Sequence, residues 1–209
     1  MELSELTVAS FANLLGSDAP APGGGSAAAL EGALGASLCA MVSALTIGRK
    51  KYEEFQALAE EGFAEGSELK EALLAAMEHD TQVFNDFGDA MALPKDTPEQ
   101  KAKRSAAMQA ALVKCTESPF QVMVLTIRTL ELADRLMGKI NANALSDLGV
   151  AVLSLGTALR GAWLNVLINV GGIKDEAVAE HFRTEGKALL DKGLAMSEEL
   201  YGKVEAALQ

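Results

Sequence analysis

The sequence has few of the residues on which metal-binding and disulfide-linked proteins depend. Its 209 residues include two cysteines, two histidines and one tryptophan, and aromatic residues make up 5% of the chain. Cys39 and Cys115 lie in apolar segments without zinc-type spacing. Neither His79 nor His181 has a glutamate three residues before it, as di-metal helical bundles require. We therefore expect no metal site and a reducing, cytoplasmic environment.

Basic residues are scarce relative to acidic ones. The chain has 18 Lys and Arg against 29 Asp and Glu, which gives a formal net charge of −11. An acidic protein repels a phosphate backbone, so we expect no nucleic-acid partner. The first residues also lack the basic start and apolar run of a secretory signal, which agrees with a cytoplasmic protein.

Runs that alternate apolar and polar residues with period two are also missing, whereas Ala, Leu, Glu, Lys and Met dominate. This composition predicts an all-α protein. No Gly/Ser linker or repeat divides the chain, so we expect residues 1–209 to form a single domain, an antiparallel bundle of long helices. Helices are predicted at about 7–15, 27–47, 52–90, 98–137, 146–170 and 175–209, with Pro119 kinking or dividing the fourth.

Two segments are apolar enough to be considered as membrane spans. Residues 27–47 carry one charge, Glu31, but they are rich in alanine, glycine and serine rather than leucine, which suits packing inside a soluble core. The apolar run 148–159 is bounded by Asp147 and Arg160 and is too short to cross a bilayer. We therefore expect two core helices and no membrane partner.

The chain is predicted to be organised around the second helix and the proline-glycine loop that precedes it. Small residues recur there every fourth position, at Ala28, Gly32, Ala36, Ala40 and Ala44. Other helices can therefore pack closely against it, and Ser26 is expected to cap its start. The loop residues Gly23, Gly24, Gly25 and Ser26 form either a cradle for a ligand or anion, or simply a tight entry turn.

One carboxylate interrupts the core-facing seam of the third helix. The seam comprises Tyr52, Phe55, Ala59, Gly62, Gly66, Leu69, Leu73, Ala76, Asp80, Val83, Phe87 and Ala90. Burial raises the pKa of a carboxyl group towards the range in which it can move protons at neutral pH. Asp80 is therefore either a proton carrier or a structural residue bonded to a helix terminus or an arginine. His79 lies about 100° round the helix and is expected to be a neighbour or surface residue.

Two further polar groups are candidates for binding. A stripe of small and polar residues on the fifth helix contains Asp147, Ala151, Ser154, Ala158, Gly161, Asn165 and Asn169, and serves either helix packing or a polar ligand. Arg49-Lys50-Lys51 is the densest basic cluster and either caps a helix or recognises a carboxylate-bearing substrate. Lys95 is a second, weaker candidate of the same kind.

Several of these motifs together resemble one family. They are Ala21-Pro22-Gly23-Gly24-Gly25-Ser26-Ala27-Ala28, Thr46-Ile47-Gly48-Arg49-Lys50-Lys51-Tyr52, Asp80 with Phe84, Leu93-Pro94-Lys95, and Asn141-x-Asn143-x-x-Ser146-Asp147 with Asn165-Val166. In this order they resemble the cyclodeaminase/cyclohydrolase family of folate enzymes. Ile140 departs from the glycine expected before Asn141. The resemblance implies an all-helical homodimer with a folate cleft near the glycine loop, and Asp80 matches the catalytic aspartate of the family.

The resemblance also implies a reaction and a set of roles. Asp80 would move a proton while methenyltetrahydrofolate is hydrolysed to 10-formyltetrahydrofolate, with no cofactor beyond the tetrahydrofolate substrate. Gly23 to Ser26 would line the folate cleft, and Arg49, Lys50 and Lys95 would bind the glutamate tail of a folate that can carry one or several glutamates. Asn141, Asp147 and Asn165 would bind the pterin. The alternatives are a formimidoyltetrahydrofolate cyclodeaminase that releases ammonia, or a non-catalytic helical dimer that binds folate or a partner protein.

Overall fold

The computed structural model describes residues 2–209, and these form helices connected by short turns. The α-helices are α1 (Val8–Leu15), α2 (Gly24–Ala44), α3 (Gln56–Ala92), α4 (Pro98–Leu136), α5 (Leu145–Val170) and α6 (Glu176–Leu208). Short 3-10 turns cover Leu3–Glu5, Lys50–Phe55 and Ala142–Ala144. No strand occurs in this part of the chain, so the predicted all-α class is confirmed.

The helix boundaries follow local sequence signals closely. Thr97 Oγ1 accepts from the Gln100 N–H at 3.2 Å, and Gln100 Oε1 accepts from the Thr97 N–H at 3.1 Å, which is the predicted capping box. Asp175 caps α6 by accepting from the N–H groups of Ala177 and Val178. Helix α4 runs unbroken through Pro119, so the predicted division of this helix is excluded.

Helix α2 packs against α3, α4 and α5 at distances that only small residues permit. A Cβ added to Gly66 of α3 would lie 2.9 Å from the backbone nitrogen of Ala40. One added to Gly35 of α2 would lie 2.6 Å from Cγ of Leu155 in α5. Contacts this close confirm the tight packing that the repeat of small residues in α2 predicts.

Two segments, Gly24–Ala44 and Ala142–Val170, are long and apolar enough to cross a membrane by length and composition alone. The expectation that the second apolar segment is too short is therefore wrong, because the helix extends well beyond residues 148–159. The structure buries 56% and 44% of their most apolar windows within the bundle. Both helices therefore also present apolar side chains on their outer side, although they contribute to the core.

Candidate functional site

A cleft of about 270 Å³ opens at the N-terminal end of α2. Its walls come from the proline-glycine loop, the middle of α3, one position of α4 and the last turns of α5. The lining residues are Pro20, Ala21, Gly23, Gly24, Gly25, Asp80, Thr81, Val83, Phe84, Cys115, Asn165, Ile168 and Asn169. The predicted glycine loop, the interrupting carboxylate and the polar end of α5 thus meet in one place.

The start of α2 is capped by a side chain from another helix. Gly23 is the N-cap residue and offers no side chain, and α2 begins at Gly24, so Ser26 lies inside the first turn. The prediction that Ser26 caps this helix is therefore wrong. Its backbone N–H, which has no partner within the helix, donates instead to the carboxylate of Asp80, and its Oγ donates to Asp80 Oδ2 at 2.9 Å. Asp80 thereby holds the N-terminus of α2 against α3.

Gly25 allows this close approach. A Cβ at this position would lie 2.3 Å from Asp80 Oδ1 and 2.7 Å from its Cγ, well inside van der Waals contact. The hydroxyl of Thr81 lies 3.3 Å from the Ser26 hydroxyl. The carboxylate therefore lies directly against the glycine backbone, with one hydroxyl bonded to it and a second beside that hydroxyl.

Burial dominates the electrostatics of Asp80. Removal from water raises the pKa of its carboxyl group above the usual value, and this outweighs the opposing effects of the two hydrogen bonds from Ser26 and the nearby His79. His79 itself is exposed, as predicted. A carboxyl group with a raised pKa can both accept and return a proton closer to neutral pH than an ordinary aspartate. The geometry therefore permits both predicted roles of Asp80, helix capping and proton transfer.

The raised pKa of Asp80 predicts how stability depends on pH. The folded protein holds this proton at a pH where the unfolded chain, with an aspartate pKa near 3.8, has lost it. The contribution of Asp80 to stability is therefore largest below the unfolded pKa and is lost as the pH rises through the folded pKa. We expect the free energy of unfolding of Asp80→Asn, relative to the parent, to increase from about pH 4 to about pH 8. Urea unfolding at several pH values measures this, and a difference that stays constant or decreases would contradict it.

The remaining walls of the cleft combine apolar surfaces with two side-chain amides. Phe84 and Ile168 are exposed, at 47% and 78%, and both line the cleft. Asn165 Nδ2 donates to the Gly161 carbonyl at 2.9 Å, and Asn169 Nδ2 donates to the Cys115 carbonyl at 2.7 Å. Asn165 is among the binding residues predicted from the sequence, whereas Asn169 is not, although both lie on the predicted polar stripe of α5.

The basic cluster lies at the opposite end of α2. Arg49 and Lys50 are exposed and line a separate pocket of about 260 Å³ together with Asn141. Arg49 Nε donates to the Leu45 carbonyl at 3.3 Å, which supports the predicted capping role. The backbone N–H of Asn141 donates to Thr46 Oγ1 at 2.8 Å, so this residue also ties the start of α5 to the end of α2.

The structure therefore divides the predicted binding residues into two groups. Gly23, Gly24, Gly25, Ser26, Asp80 and Asn165 lie in or beside the cleft. Arg49, Lys50 and Asn141 lie beyond the other end of α2, whose 21 residues span about 30 Å. Asp147, in the first turn of α5, belongs to that far end. Lys95 is exposed in the α3–α4 turn, outside the set of residues that line the cleft.

These features define an all-α protein with a partly buried carboxylate in a cleft at the start of a glycine-rich helix. Among residues 2–209 no group of three or more His, Cys, Asp or Glu side chains is placed to hold a metal ion. The sequence profile of the formiminotransferase-cyclodeaminase family matches residues 7–188. The chain belongs to this family, as its motifs predict.

Comparison with individual proteins agrees with this assignment. The chain is 40% identical over 200 residues to a methenyltetrahydrofolate cyclohydrolase of Methylorubrum extorquens, a match that covers 96% of both chains. It is 34% identical to a formimidoyltransferase-cyclodeaminase of Sus scrofa, covering 94% of this chain but 36% of that protein. The crystal structure of a formiminotetrahydrofolate cyclodeaminase from Thermotoga maritima superposes with a TM-score of 0.82, at 25% identity and over 99% of this chain and 98% of that one.

Proposed function

We propose that this protein hydrolyses methenyltetrahydrofolate to 10-formyltetrahydrofolate and that Asp80 carries the proton. The supporting observation is the position of this carboxylate, which lines the cleft and has a pKa raised by burial. The 40% identity to a methenyltetrahydrofolate cyclohydrolase, over nearly the full length of both chains, favours hydrolysis as the reaction. Among residues 2–209, no lysine, arginine or histidine lines the cleft, so a cationic substrate meets a negative charge there without competition.

The chemistry follows from the charge of the substrate. The methenyl carbon bridges two nitrogens as a cationic amidinium, which attracts both a water nucleophile and the Asp80 carboxylate. As the water oxygen bonds to this carbon, Asp80 accepts a proton from the water. Asp80 then donates the proton to the pterin ring nitrogen, N5, and the bond between N5 and the former methenyl carbon breaks. The hydroxyl of the intermediate loses its own proton to become the formyl carbonyl, which releases one proton overall.

A cyclodeaminase activity is the second candidate, supported by the named function of the structural neighbour from Thermotoga maritima. In that reaction formimidoyltetrahydrofolate loses ammonia and the methenyl bridge closes. With the formimidoyl group bound in its protonated form, the same carboxylate can accept a proton from N10, the nitrogen outside the pterin ring that attacks the formimidoyl carbon, and return it to the amino nitrogen, which then leaves as ammonia.

A pair of assays distinguishes these reactions. Enzyme-dependent loss of methenyl absorbance, measured above the spontaneous rate, supports hydrolysis. Ammonia release from formimidoyltetrahydrofolate, coupled to a gain of methenyl absorbance, supports the cyclodeaminase. Turnover of neither folate would exclude both activities and leave a helical dimer that only binds folate or a partner protein.

We further propose that the protein requires no cofactor beyond its tetrahydrofolate substrate and acts in the cytoplasm. Asp80 supplies the proton transfer, and the free thiols of Cys39 and Cys115 are buried in the bundle. Dialysis against a chelator should therefore leave the hydrolysis rate unchanged. A loss of rate that added zinc or magnesium restores would contradict this proposal.

We also propose that the protein is a homodimer that pairs through an outer face formed by α2 and α5. This outer face consists of the exposed side chains of Leu34, Met41, Leu45, Val150, Leu153, Leu164, Leu167 and Ile168. Two adjacent helices present an area of about 20 by 30 Å, or roughly 600 Å², which is at the lower end of the roughly 600–1,000 Å² per partner of stable interfaces. Large apolar patches of this kind mark interaction surfaces.

Charge complementarity supports an antiparallel arrangement of the two copies. The basic residues Arg49, Lys50 and Lys51 lie at one end of α2. At the other end lie Asp80, which lines the cleft, and Asp86, which is close to the cleft residue Cys115. A two-fold axis across the middle of α2 would place each basic end beside the partner's cleft. We propose that Arg49 and Lys50 then bind the glutamate tail of folate in the partner's cleft, with Lys95 as a further contact and Asn141 and Asp147 nearby.

Charged substitutions in the outer face should separate the dimer. Leu34 and Leu153 are about half exposed near the middle of α2 and of α5. Light scattering should give the parent twice the 21.9 kDa chain mass, and the double variant Leu34→Glu, Leu153→Glu the mass of one chain. The control Ala188→Glu, on the exposed side of α6 and away from this face, should remain dimeric. A monomeric parent, or a parent that binds lipid vesicles through this face, would contradict the proposal.

Subunit mixing tests the shared cleft. Subunits with Asp80→Asn and subunits with Arg49→Ala and Lys50→Ala form mixed dimers that contain one complete cleft. Turnover of polyglutamylated substrate at low concentration should therefore rise on mixing. No gain on mixing would remove Arg49 and Lys50 from the partner's site.

A further inference from the structure

Pro119 leaves one backbone carbonyl inside α4 without its usual hydrogen-bond donor. A proline has no N–H, so the carbonyl of Cys115, four residues earlier, loses its normal helical donor. Cys115 is 7% exposed, and a buried carbonyl without a donor is destabilising. The structure fills this position with the side chain of Asn169 from α5, whose Nδ2 donates to that carbonyl at 2.7 Å.

This bond fixes the orientation of the Asn169 amide. A carbonyl oxygen can only accept, so the nitrogen of the amide must face Cys115 and its Oδ1 must face elsewhere. Asn169 lines the cleft that contains Asp80, and no donor among residues 2–209 hydrogen bonds to its Oδ1. Its amide oxygen is therefore held ready to accept from a ligand.

The same pattern occurs one turn earlier in α5. Asn165 Nδ2 donates to the Gly161 carbonyl at 2.9 Å, which also leaves an amide oxygen available beside the cleft. Together with Asp80, these side chains form a set of acceptors that includes no cationic donor. Exposed Phe84 and Ile168 add two apolar surfaces to the same cleft. This arrangement suits a flat heterocycle that carries N–H donors.

We infer that Asn169 is a specificity-determining residue, and that its Oδ1 accepts a hydrogen bond from the amino or ring N–H groups of the bound heterocycle. This inference rests on the proposed folate activity and adds a recognition role to it. Pro119 is then the positioning residue, because its missing N–H holds the Asn169 amide in the binding orientation. A site with a fixed, partly desolvated acceptor discriminates against analogues that lack the matching donor.

Two variants separate the role of Asn169 in substrate binding from its role as hydrogen-bond donor to the Cys115 carbonyl. Asn169→Ala leaves the Cys115 carbonyl without a donor, so both stability and substrate binding should decrease. Adding Pro119→Ala restores an N–H at the position from which it can bond to Cys115. We expect this double variant to regain the parental melting temperature but to keep a KM for methenyltetrahydrofolate that is raised roughly tenfold, with kcat near the parental value. Pro119→Ala alone should keep the parental melting temperature but raise KM by less than the double variant, because the new N–H competes with Asn169 for the Cys115 carbonyl and releases the amide from its fixed orientation. A parental KM for Pro119→Ala would remove Pro119 as the positioning residue.

The parent protein provides a test that does not depend on any variant folding. A substrate analogue whose exocyclic amino group is replaced by methyl should have a raised KM with the parent. The double variant should have the same KM for the analogue as for the normal substrate. A parental KM in Asn169→Ala or in the double variant, or equal use of both substrates by the parent, would overturn the inference. Failure of the proposed function would appear separately, as an absence of turnover by the parent with either folate.

Discussion

Replacing Asp80 with asparagine should lower the rate of methenyltetrahydrofolate hydrolysis by a factor on the order of 10² to 10⁴, the range typical of general acid–base groups. In the parent, Ser26 Oγ donates to Asp80 Oδ2 at 2.9 Å. Asparagine has nearly the same shape as aspartate and can still accept this hydrogen bond. It cannot take a proton from water. The initial rate of absorbance loss measures the effect, and circular dichroism should show an unchanged helical fold.

The matched control is Asp89→Asn. Asp89 lies on the same helix, is exposed and is not among the residues that line the cleft. The substitution removes one negative charge from α3, as Asp80→Asn does. Because Asp89 lies outside the cleft, the rate of this variant should stay close to the parental rate. Comparable rates for Asp80→Asn and the parent would remove Asp80 from the mechanism and leave it as a helix cap.

Gly25→Ala should abolish most activity although it adds only one methyl group. The new Cβ would lie 2.3 Å from Asp80 Oδ1, so the carboxylate must move away from Ser26 or the start of α2 must shift. We expect the rate to fall on the order of 100-fold through misplacement of the proton carrier. The free energy of unfolding should fall by about 1–3 kcal/mol, as is usual for overpacked sites. Hydrolysis assays and urea unfolding measure the two effects.

Gly88→Ala provides the comparison for this second prediction. It places the same methyl group on α3, where no atom beyond the neighbouring backbone of that helix lies within 4 Å of the new Cβ. Alanine is favoured over glycine in a helix interior by roughly 0.5–1 kcal/mol, so stability should rise slightly and the rate should not change. A Gly25→Ala protein with parental rate and stability would show that the carboxylate is not held against the glycine backbone.

The sequence was sufficient to predict those parts of the fold that depend on local signals. The Thr97 capping box, the small-residue repeat of α2 and the start of α5 after Asn143 all lie where residue pattern and turn chemistry place them. These features involve residues a few positions apart. Tertiary packing does not need to be known to predict them.

The errors arise where the partner comes from another helix. Ser26 has the residue type of an N-cap, yet the carboxylate that caps α2 belongs to Asp80, 54 positions later. Pro119 does not break α4, and an amide 54 positions from Cys115 supplies the missing donor. No local pattern identifies which side chain will meet a given backbone group across the bundle.

The candidate site was predicted in part for the same reason. Periodicity placed Asp80 on the core-facing side of α3, and the glycine loop marked the start of α2, so the centre of the cleft could be predicted. The sequence did not show which of the residues expected to bind folate lie at the same end of α2. Glycine or asparagine with polar neighbours occurs near both ends, so the local patterns are similar. The length of α2, about 30 Å, separates them in one chain.

The pH dependence of single-turnover hydrolysis tests the role of Asp80 most directly. Water attack requires Asp80 in its ionised form, so the parental rate should rise with pH through one ionisation whose pKa lies above the ordinary aspartate value of 3.8. Asp80→Asn should lose this ionisation and show a low rate at every pH tested. The same pH profile and comparable rates in both proteins would contradict proton transfer by Asp80.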